Sequence, residues 1–373
     1  MIDILEIRNT DRVLIGVIDD AKSIIWADEY YGAGSLEIYV ALSDTYRQLL
    51  KEGYYITRQG AKSAAIIESL QYIDNPQDGI MIVATGRMLK SILDRRLAYN
   101  LSGHTIMPVK MSGNLATAVQ TVISSQAGAT AGAVRSMGIV IGSDGGITKT
   151  IITDNDENSS RQSSYKGLLE FTDGVLQEYE CGARMRIDDT THNMVYDLFE
   201  GKDRTIGNSS GNAPVIFSQD LENLLTAEYL HDTTAFKNFA LIGGEGQGLD
   251  RFYATYAQDN STGIDRREVF VDATNYPRKY MDGETEKTYT DTEYNAQLIG
   301  QAQTDLKELI ITETFTGEIA LEMSQYKYGV DFELGDKVTI QDTILGLYIN
   351  TRIISVTEVQ DDNGYIISVQ YGN

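Results

Sequence analysis

The stretch "SIIWADEYYGAGSLEIYV", Ser23 to Val40, decides how the chain is read. Its second half alternates strictly. Leu36, Ile38 and Val40, followed by Leu42, fall on one face, and Ser35, Glu37, Tyr39 and Ala41 fall on the other. A period of two marks a half-buried β-strand. The first half holds the single Trp of the chain, Trp26, with Tyr30 and Tyr31, and Gly32 and Gly34 separate the halves. Trp26 and the tyrosines are therefore either an exposed ligand platform or the packed side of a strand that bends at its glycines.

The same rhythm runs outward from this stretch. "RVLIGVI" (Arg12–Ile18), "YYITR" (Tyr54–Arg58), "AAIIESLQYI" (Ala64–Ile73) and "GIMIVATG" (Gly79–Gly86) are strand-like and separated by short polar turns. Residues 1–86 read as β throughout, as in a barrel or sandwich. "GRMLKSILDRRL" (Gly86–Leu97) switches to helical spacing. "SGNLATAVQTVISSQA" (Ser112–Ala127) reads as a helix capped by serine, with Leu115, Ala118, Val119 and Val122 inward. "SSYKGLLEFTDGVLQEYECG" (Ser163–Gly182) reads as another, stopped by Gly182, and "ARMRIDDTTHNMVYDLFEG" as a hairpin with Asp188–Asn193 at its tip.

Strands return from about Ala213. "TDTEYNAQLIGQAQTDLKELI" (Thr290–Ile310) is the clearest helix, with capping-box spacing at Thr290 and Glu293 and a stripe of Ile299, Ala302, Leu306 and Leu309. Strands follow again, and "DDNG" (Asp361–Gly364) marks a hairpin turn. The fold class is α+β, β-dominated, with no βαβ alternation that would build a parallel sheet. The expected divisions are a first β-barrel domain over 1–104, an α+β insert with two helices and a hairpin over 105–212, a β-rich return over 213–289 and a helix with a second barrel over 290–373.

Composition narrows the function classes. The chain has 373 residues, of which 31 are basic and 54 acidic, for a net charge of −23. So acidic a surface cannot grip nucleic-acid phosphates by counterion release. It suits a surface past which another polyanion slides. A single cysteine, Cys181, excludes an internal disulfide and a multi-cysteine zinc site, and its bland reading is a small buried hydrophobe. The N-terminus lacks a signal-peptide core, and no apolar run approaches the roughly 20 residues that span a bilayer. No membrane anchoring is expected, and synthesis is expected in a cytoplasm.

Motifs of chemistry fail on inspection. "GGEGQG" (Gly243–Gly248) lacks the Gly-Lys-Ser/Thr of a phosphate loop and precedes a strand, so a close backbone crossing is the better reading. "DNDENS" (Asp154–Ser159) opens like an EF-hand loop but has Ser159 where glycine is needed and Tyr165 in place of the closing glutamate. His104, His192 and His231 share no ligand spacing. No catalytic residue, metal ligand or cofactor site is expected. "ILDRR" (Ile92–Arg96) and "EGKDRT" (Glu200–Thr205) each set an aspartate beside arginine, which either locks modules together or makes an ordinary surface pair.

"VIDDAKSIIWADEYYGAGSLEIYV" (Val17–Val40), "LKEGYYITR" (Leu50–Arg58), "IIESLQY" (Ile66–Tyr72), "GRMLKSILDRR" (Gly86–Arg96), "YDLFEGKDRT" (Tyr196–Thr205), "ALIGGEGQGLDR" (Ala240–Arg251) and "FELGDKVTI" (Phe332–Ile340) are spread over nearly the whole chain. In order and spacing they resemble the tail-tip hub proteins of siphophages and Gram-positive prophages. The N-terminal part of that family is similar to the baseplate hubs of contractile tails. The resemblance implies two small tail-tube-like β-barrels with α+β insert modules. It also implies a homotrimer whose ring continues the tail tube and passes DNA through its lumen. Implied partners are a distal tail protein and tail-tube or tape-measure components, and the implied location is the virion tail tip. It implies no enzyme and no cofactor. The C-terminal extension that longer family members carry is not expected in this chain. The family's motifs are structural. In this chain they fall on Trp26, Gly32, Gly34, Arg87, Asp94, Arg95, Arg96, Gly201, Asp203, Arg204, Gly243, Gly244, Gly246, Gly335 and Asp336. The alternative is a carbohydrate-binding host-recognition module, which needs exposed coplanar aromatics.

Overall fold

The computed structural model describes residues 4–75, 79–151, 161–282, 285–319, 325–343 and 346–372. The N-terminal strands are β1 (Leu5–Arg8), β2 (Leu14–Ile18), β3 (Ser23–Glu29) and β4 (Ser35–Ala41), then β5 (Tyr55–Arg58), β6 (Ala65–Asn75) and β7 (Gly79–Met88). Helix α1 (Asp44–Leu49) interrupts them, where the pattern reads as all strand. Its Ser43 cap accepts from the Tyr46 amide, and only Tyr46 is buried, so six residues carry too little periodicity to announce a helix. The stretch after β7 is a 3₁₀ helix, Leu89–Arg95, whose first five residues are all buried.

In the insert, α2 (Leu115–Gln126) is capped by Asn114 rather than serine, the Asn side chain accepting from the Thr117 amide. Helix α3 (Leu168–Glu178) ends before Glu180, which takes the left-handed conformation at φ 52°. The expected stop, Gly182, instead opens β8 (Gly182–Ile187), which pairs with β9 (Met194–Phe199) as the anticipated hairpin. The helices bury Leu115, Val119, Val122, Leu168, Phe171 and Val175 in one core with this hairpin. Asp154–Ser159 lie outside the described residues.

Beyond the insert come β10 (Ile216–Ser218), β11 (Leu224–Asp232), β12 (Phe239–Gly243), β13 (Tyr253–Ala257) and β14 (Glu268–Asp272). Helix α4 (Asp291–Glu308) follows, then β15 (Thr312–Ile319), β16 (Lys337–Asp342), β17 (Leu347–Asp361) and β18 (Gly364–Gly372). Helix α4 has the expected reciprocal capping box, and the Asp361–Gly364 turn joins β17 to β18. Its buried row is Tyr294, Leu298, Ala302 and Leu306, so Ile299 and Leu309 lie at the margin of the stripe.

The main sheet has 13 strands in the order β11-β15-β18-β17-β3-β4-β7-β6-β5-β1-β2, with β16 beside β17 and β10 beside β16. The strands at the two ends of the chain, read from sequence as two separate barrels, therefore share one sheet. No closed barrel is traced among the described residues. The cause is β17. At 15 residues it is long enough to pair first with β16 and then with β3, Trp26 standing opposite Glu358. The N-terminal strands bury Leu5, Ile7, Trp26, Leu36, Ile38, Val40 and Ile82 in one core.

The chain divides into two compact units, 1–228 with 315–373, and 229–314. These boundaries do not coincide with the sequence divisions, because α4 packs on the strands before it. Ala240, Ile242, Ala254 and Val271 bury against Tyr294, Leu298, Ala302 and Leu306.

Candidate functional site

The opening stretch is core. Trp26 has no exposed surface, its indole N–H donates to Asp28 Oδ2 at 2.9 Å, and the Arg58 guanidinium lies 4.7 Å from its ring. Gly34 is needed because a Cβ there would sit 1.9 Å from the Ala27 carbonyl oxygen. Gly32 has φ +84°, and its N–H donates to Asp173 of α3 at 2.8 Å. The bend between β3 and β4 is thus fastened to the insert.

Tyr30, on that bend, is the centre of the densest polar junction. Its hydroxyl donates to the Glu180 carbonyl at 3.0 Å and accepts from the Gly201 amide at 3.3 Å. A Cβ on Gly182 would lie 2.5 Å from its ring, and one on Gly335 2.3 Å. Both glycines therefore exist to admit Tyr30. Burial pushes the Tyr30 phenol far above its ordinary range, and that of Tyr31 up to about 12. Arg352 lies over the Tyr30 ring at 5.2 Å, donates to the Gly335 carbonyl at 2.6 Å and pairs with Glu180 at 2.7 Å. Lys337 reaches the same Glu180 oxygen, Oε2, at 2.8 Å.

Two sequence motifs meet here. Gly201 crosses Gly335 so closely that a Cβ would be 1.7 Å from its carbonyl oxygen. Asp336 accepts from the Lys202 amide at 2.7 Å and pairs with Arg204 at 2.8 Å, both partners being largely buried. Asp203 turns back to Thr205, accepting its amide and hydroxyl at 3.0 and 2.7 Å. The Arg–carboxylate lock expected of "EGKDRT" is real, but its carboxylate is Asp336, not the neighbouring aspartate. "ILDRR" behaves alike. Asp94 pairs with Arg87 at 2.8 Å, and Arg87 also holds Glu68 at 2.8 Å. Arg95 is exposed, and Arg96 donates to the Arg135 carbonyl at 2.8 Å.

Glu180 supplies a pH test. The hydrogen bond from Lys337, with the charges of Lys337 and Arg352, holds its carboxyl below the usual range despite some burial. A depressed carboxyl stabilises the fold above its unfolded pKa, and that contribution is lost as pH falls through the folded value. Glu180→Gln is therefore expected to lower the melting temperature at pH 7, and to lower it progressively less as pH falls below the ordinary carboxyl range. Equal shifts at every pH would show that the ion pairs contribute nothing.

Sequence reasoning missed the buried pairs. Lys90 Nζ sits 3.0 Å from Asp173, with both side chains nearly inaccessible. Arg58 makes a two-pronged pair with Glu358 across β5 and β17, one arm at 3.0 Å, and the Tyr365 hydroxyl also donates to Glu358. The only signal was a charge inside an apolar run, as in "MLKSIL" and "EFTDGV". A cleft of about 100 Å³ opens beside these pairs, lined by Asp28, Glu29, Arg58, Arg184, Phe199 and Glu333 among others. Its charges serve packing. Asp28 accepts from Ser63 and Trp26, Glu333 pairs with Lys62, and Arg184 lies 4.6 Å over the Phe199 ring.

In the 229–314 unit, the Gly-rich loop is tightly packed, but Gly243 and Gly244 face side chains and not a crossing backbone. A Cβ on Gly243 would meet the Arg251 guanidinium at 2.6 Å, and one on Gly244 the Tyr294 hydroxyl at 2.7 Å. Gly246, at φ +110°, lies against Asp250 of its own loop. Arg251 donates to the carbonyls of Gly243 and Gly244, at 2.9 and 3.1 Å, and to Asp272 at 2.6 Å. Those carbonyls point at a cation of the protein's own.

The histidines and the cysteine stand apart chemically. His104 is exposed, His192 turns the hairpin at φ 57°, and His231 pairs with Glu313 at 2.9 Å near the surface. Cys181 is buried, and that burial pushes its thiol up, away from a nucleophilic thiolate. Among the described residues no group of His, Cys, Asp and Glu is placed to hold a metal, and no helix is long and apolar enough to cross a membrane.

The glycine contacts and ion-pair locks join segments from β3 to the last strands. Residues 4–373 match the Siphovirus ReqiPepy6 Gp37-like protein family. The chain belongs to this family. No curated protein matches it. Among solved structures, it is similar to the tail protein from Neisseria meningitidis MC58, with a TM-score of 0.57 at 14% identity, covering 99% of this chain and 96% of that one. It is equally similar to the 43 kDa tail protein of prophage MuSo2 from Shewanella oneidensis, with a TM-score of 0.57 at 12% identity, covering 99% and 97%. At such identities the likeness concerns the fold, and the fold this Gp37-like protein shares is that of phage tail proteins.

Proposed function

We propose that this Gp37-like protein is a structural component of the phage virion, the hub of the tail tip, and that three copies form a ring continuing the tail tube. The observation that carries this reading is the match over nearly the whole chain to a siphovirus family, on a fold shared with prophage tail proteins. The ring would join the tube or tape-measure components above to a distal tail protein, and DNA would only pass through its acidic lumen. Two tube-like lobes per copy are part of the proposal. It draws support from two separate cores, one around Trp26 and Ile38 and one where Phe217 meets Phe332 and Tyr371 at 5.2 and 6.0 Å. The absence of enzymatic activity belongs to the same proposal.

The carbohydrate-binding alternative loses its best aromatics. Trp26 and Tyr30 are buried. On the uncovered face of β12–β14 the rings of Tyr253 and Phe270 have the Arg251 guanidinium over them at 5.9 and 5.3 Å, and Phe239 has Arg266 at 3.4 Å. A sugar would have to displace those guanidinium groups.

Sedimentation velocity over a wide concentration range is expected to show a monomer giving way to a trimer, with threefold rings in electron micrographs. Partner proteins shift the balance toward the ring by mass action. A stable two-fold dimer would overturn the hub reading.

A further inference from the structure

We propose that β2 is the strand by which one copy of the chain joins the next, pairing edge to edge with β11 of the neighbouring copy. The inference rests on the ring reading and names the contact that would build the ring. Strand β2 stands at one end of the sheet order and, among the described residues, pairs only with β1, so one row of its amides and carbonyls faces outward. Proteins normally blunt such an edge with charge, proline or a very short strand. Here Val13–Ile18 contains no charged residue and no proline. Its side chains are apolar on both faces, with Val13 41%, Leu14 47%, Ile15 38% and Val17 45% exposed.

The edge is held ready. Arg8, behind β2 on β1, pairs with Glu6 at 2.7 Å and with Asp189 of the β8–β9 hairpin at 2.6 Å. Arg12, at φ 67°, donates to the His192 carbonyl at the tip of that hairpin. Binding to a fixed edge costs little ordering entropy.

Charge selects the occupant. Two chains of net charge −23 repel wherever their carboxylates approach. A self-contact is favoured where a surface is uncharged, and Val13–Ile18 is such a segment at a strand edge. The opposite end of the sheet order is β11, nine residues long and, among the described residues, paired in the sheet with β15 alone; it accommodates the five residues of β2. A sheet with two different end strands adds copy to copy in a head-to-tail sense, which closes into a ring when the rotation allows. Pairing of β2 with β2 would stop at a dimer.

The test uses the full chain. Ile15 and Val17 face solvent, so Ile15→Lys with Val17→Lys is expected to leave the circular dichroism spectrum and melting temperature unchanged. The same change is expected to weaken trimer formation by roughly tenfold or more in concentration, about 1.4 kcal/mol per tenfold. Because Cys181 is buried, Val17→Cys and Leu230→Cys place the accessible thiols. Chains of the two kinds are expected to cross-link when mixed, and neither kind by itself. A wild-type trimer that the lysines leave intact, or cross-linking of Val17→Cys with itself, overturns the β2 assignment and spares the ring. A wild-type chain that never passes beyond a monomer overturns both.

Discussion

Gly201→Ala is expected to be among the most damaging single-methyl changes in the molecule. The added Cβ would lie 1.7 Å from the Gly335 carbonyl oxygen and 2.6 Å from the Asp336 amide nitrogen. Both are backbone atoms, so no rotamer change relieves the overlap. The two segments would have to separate, and with them the Asp336 bonds to Lys202 and Arg204 and the seat of Tyr30. We expect a loss of about 3 kcal/mol or more, the upper range for overpacking, read as a lowered midpoint in thermal or urea unfolding. Gly174→Ala is the control. It lies within α3 with nothing near its Cβ position, and alanine there should stabilise by up to about 1 kcal/mol. Gly201→Ala melting with the wild type would show that the crossing is looser than it stands.

Lys90→Met should cost as much for the opposite reason, by removing an atom group rather than adding one. Asp173 would keep its Gly32 amide but lose the ammonium 3.0 Å away, in a site closed to water. Breaking a buried pair from one side costs about 3–5 kcal/mol, because the remaining charge is stranded. Burial already pushes the Asp173 carboxyl up, with Lys90 pulling it down. Without Lys90 it should bind a proton, so the loss should shrink as pH falls. Adding Asp173→Asn to Lys90→Met removes the stranded charge and keeps an acceptor for Gly32. The double variant should melt above the single one. Strictly additive losses would mean that the pair is uncoupled.

These two sites show what the sequence makes legible. The capping box at Thr290 and Glu293, the Asp361–Gly364 turn and the alternation of β4 obey rules confined to a few adjacent residues. Each was readable. Gly182 was misread as a helix stop because its true reason, the ring of Tyr30, lies 152 positions away (182 minus 30). "EGKDRT" and "LGDK" were each visible as motifs, but only the fold joins Arg204 to Asp336, 132 positions apart. Strand β17 reads as strand from sequence. That its two halves serve different neighbours depends on register, which no local pattern encodes. Nothing local marks Lys90 and Arg58 as buried ion-pair partners, because the carboxylates they meet come from distant elements.

The pairing of β3 with β17 also sets an order of events at the ribosome. Ser23–Glu29 emerges early, yet its hydrogen-bonding neighbour, Ser355–Asp361, is synthesised almost last. Until then one side of β3 has no strand beside it, and Arg58 lacks the carboxylate 300 positions ahead. The insert core and the 229–314 unit are built from nearer segments and can form while synthesis continues. The main sheet has a very high contact order, and such folds are slow to complete. Completion of the sheet therefore waits on the final strands, and an incomplete chain cannot close it.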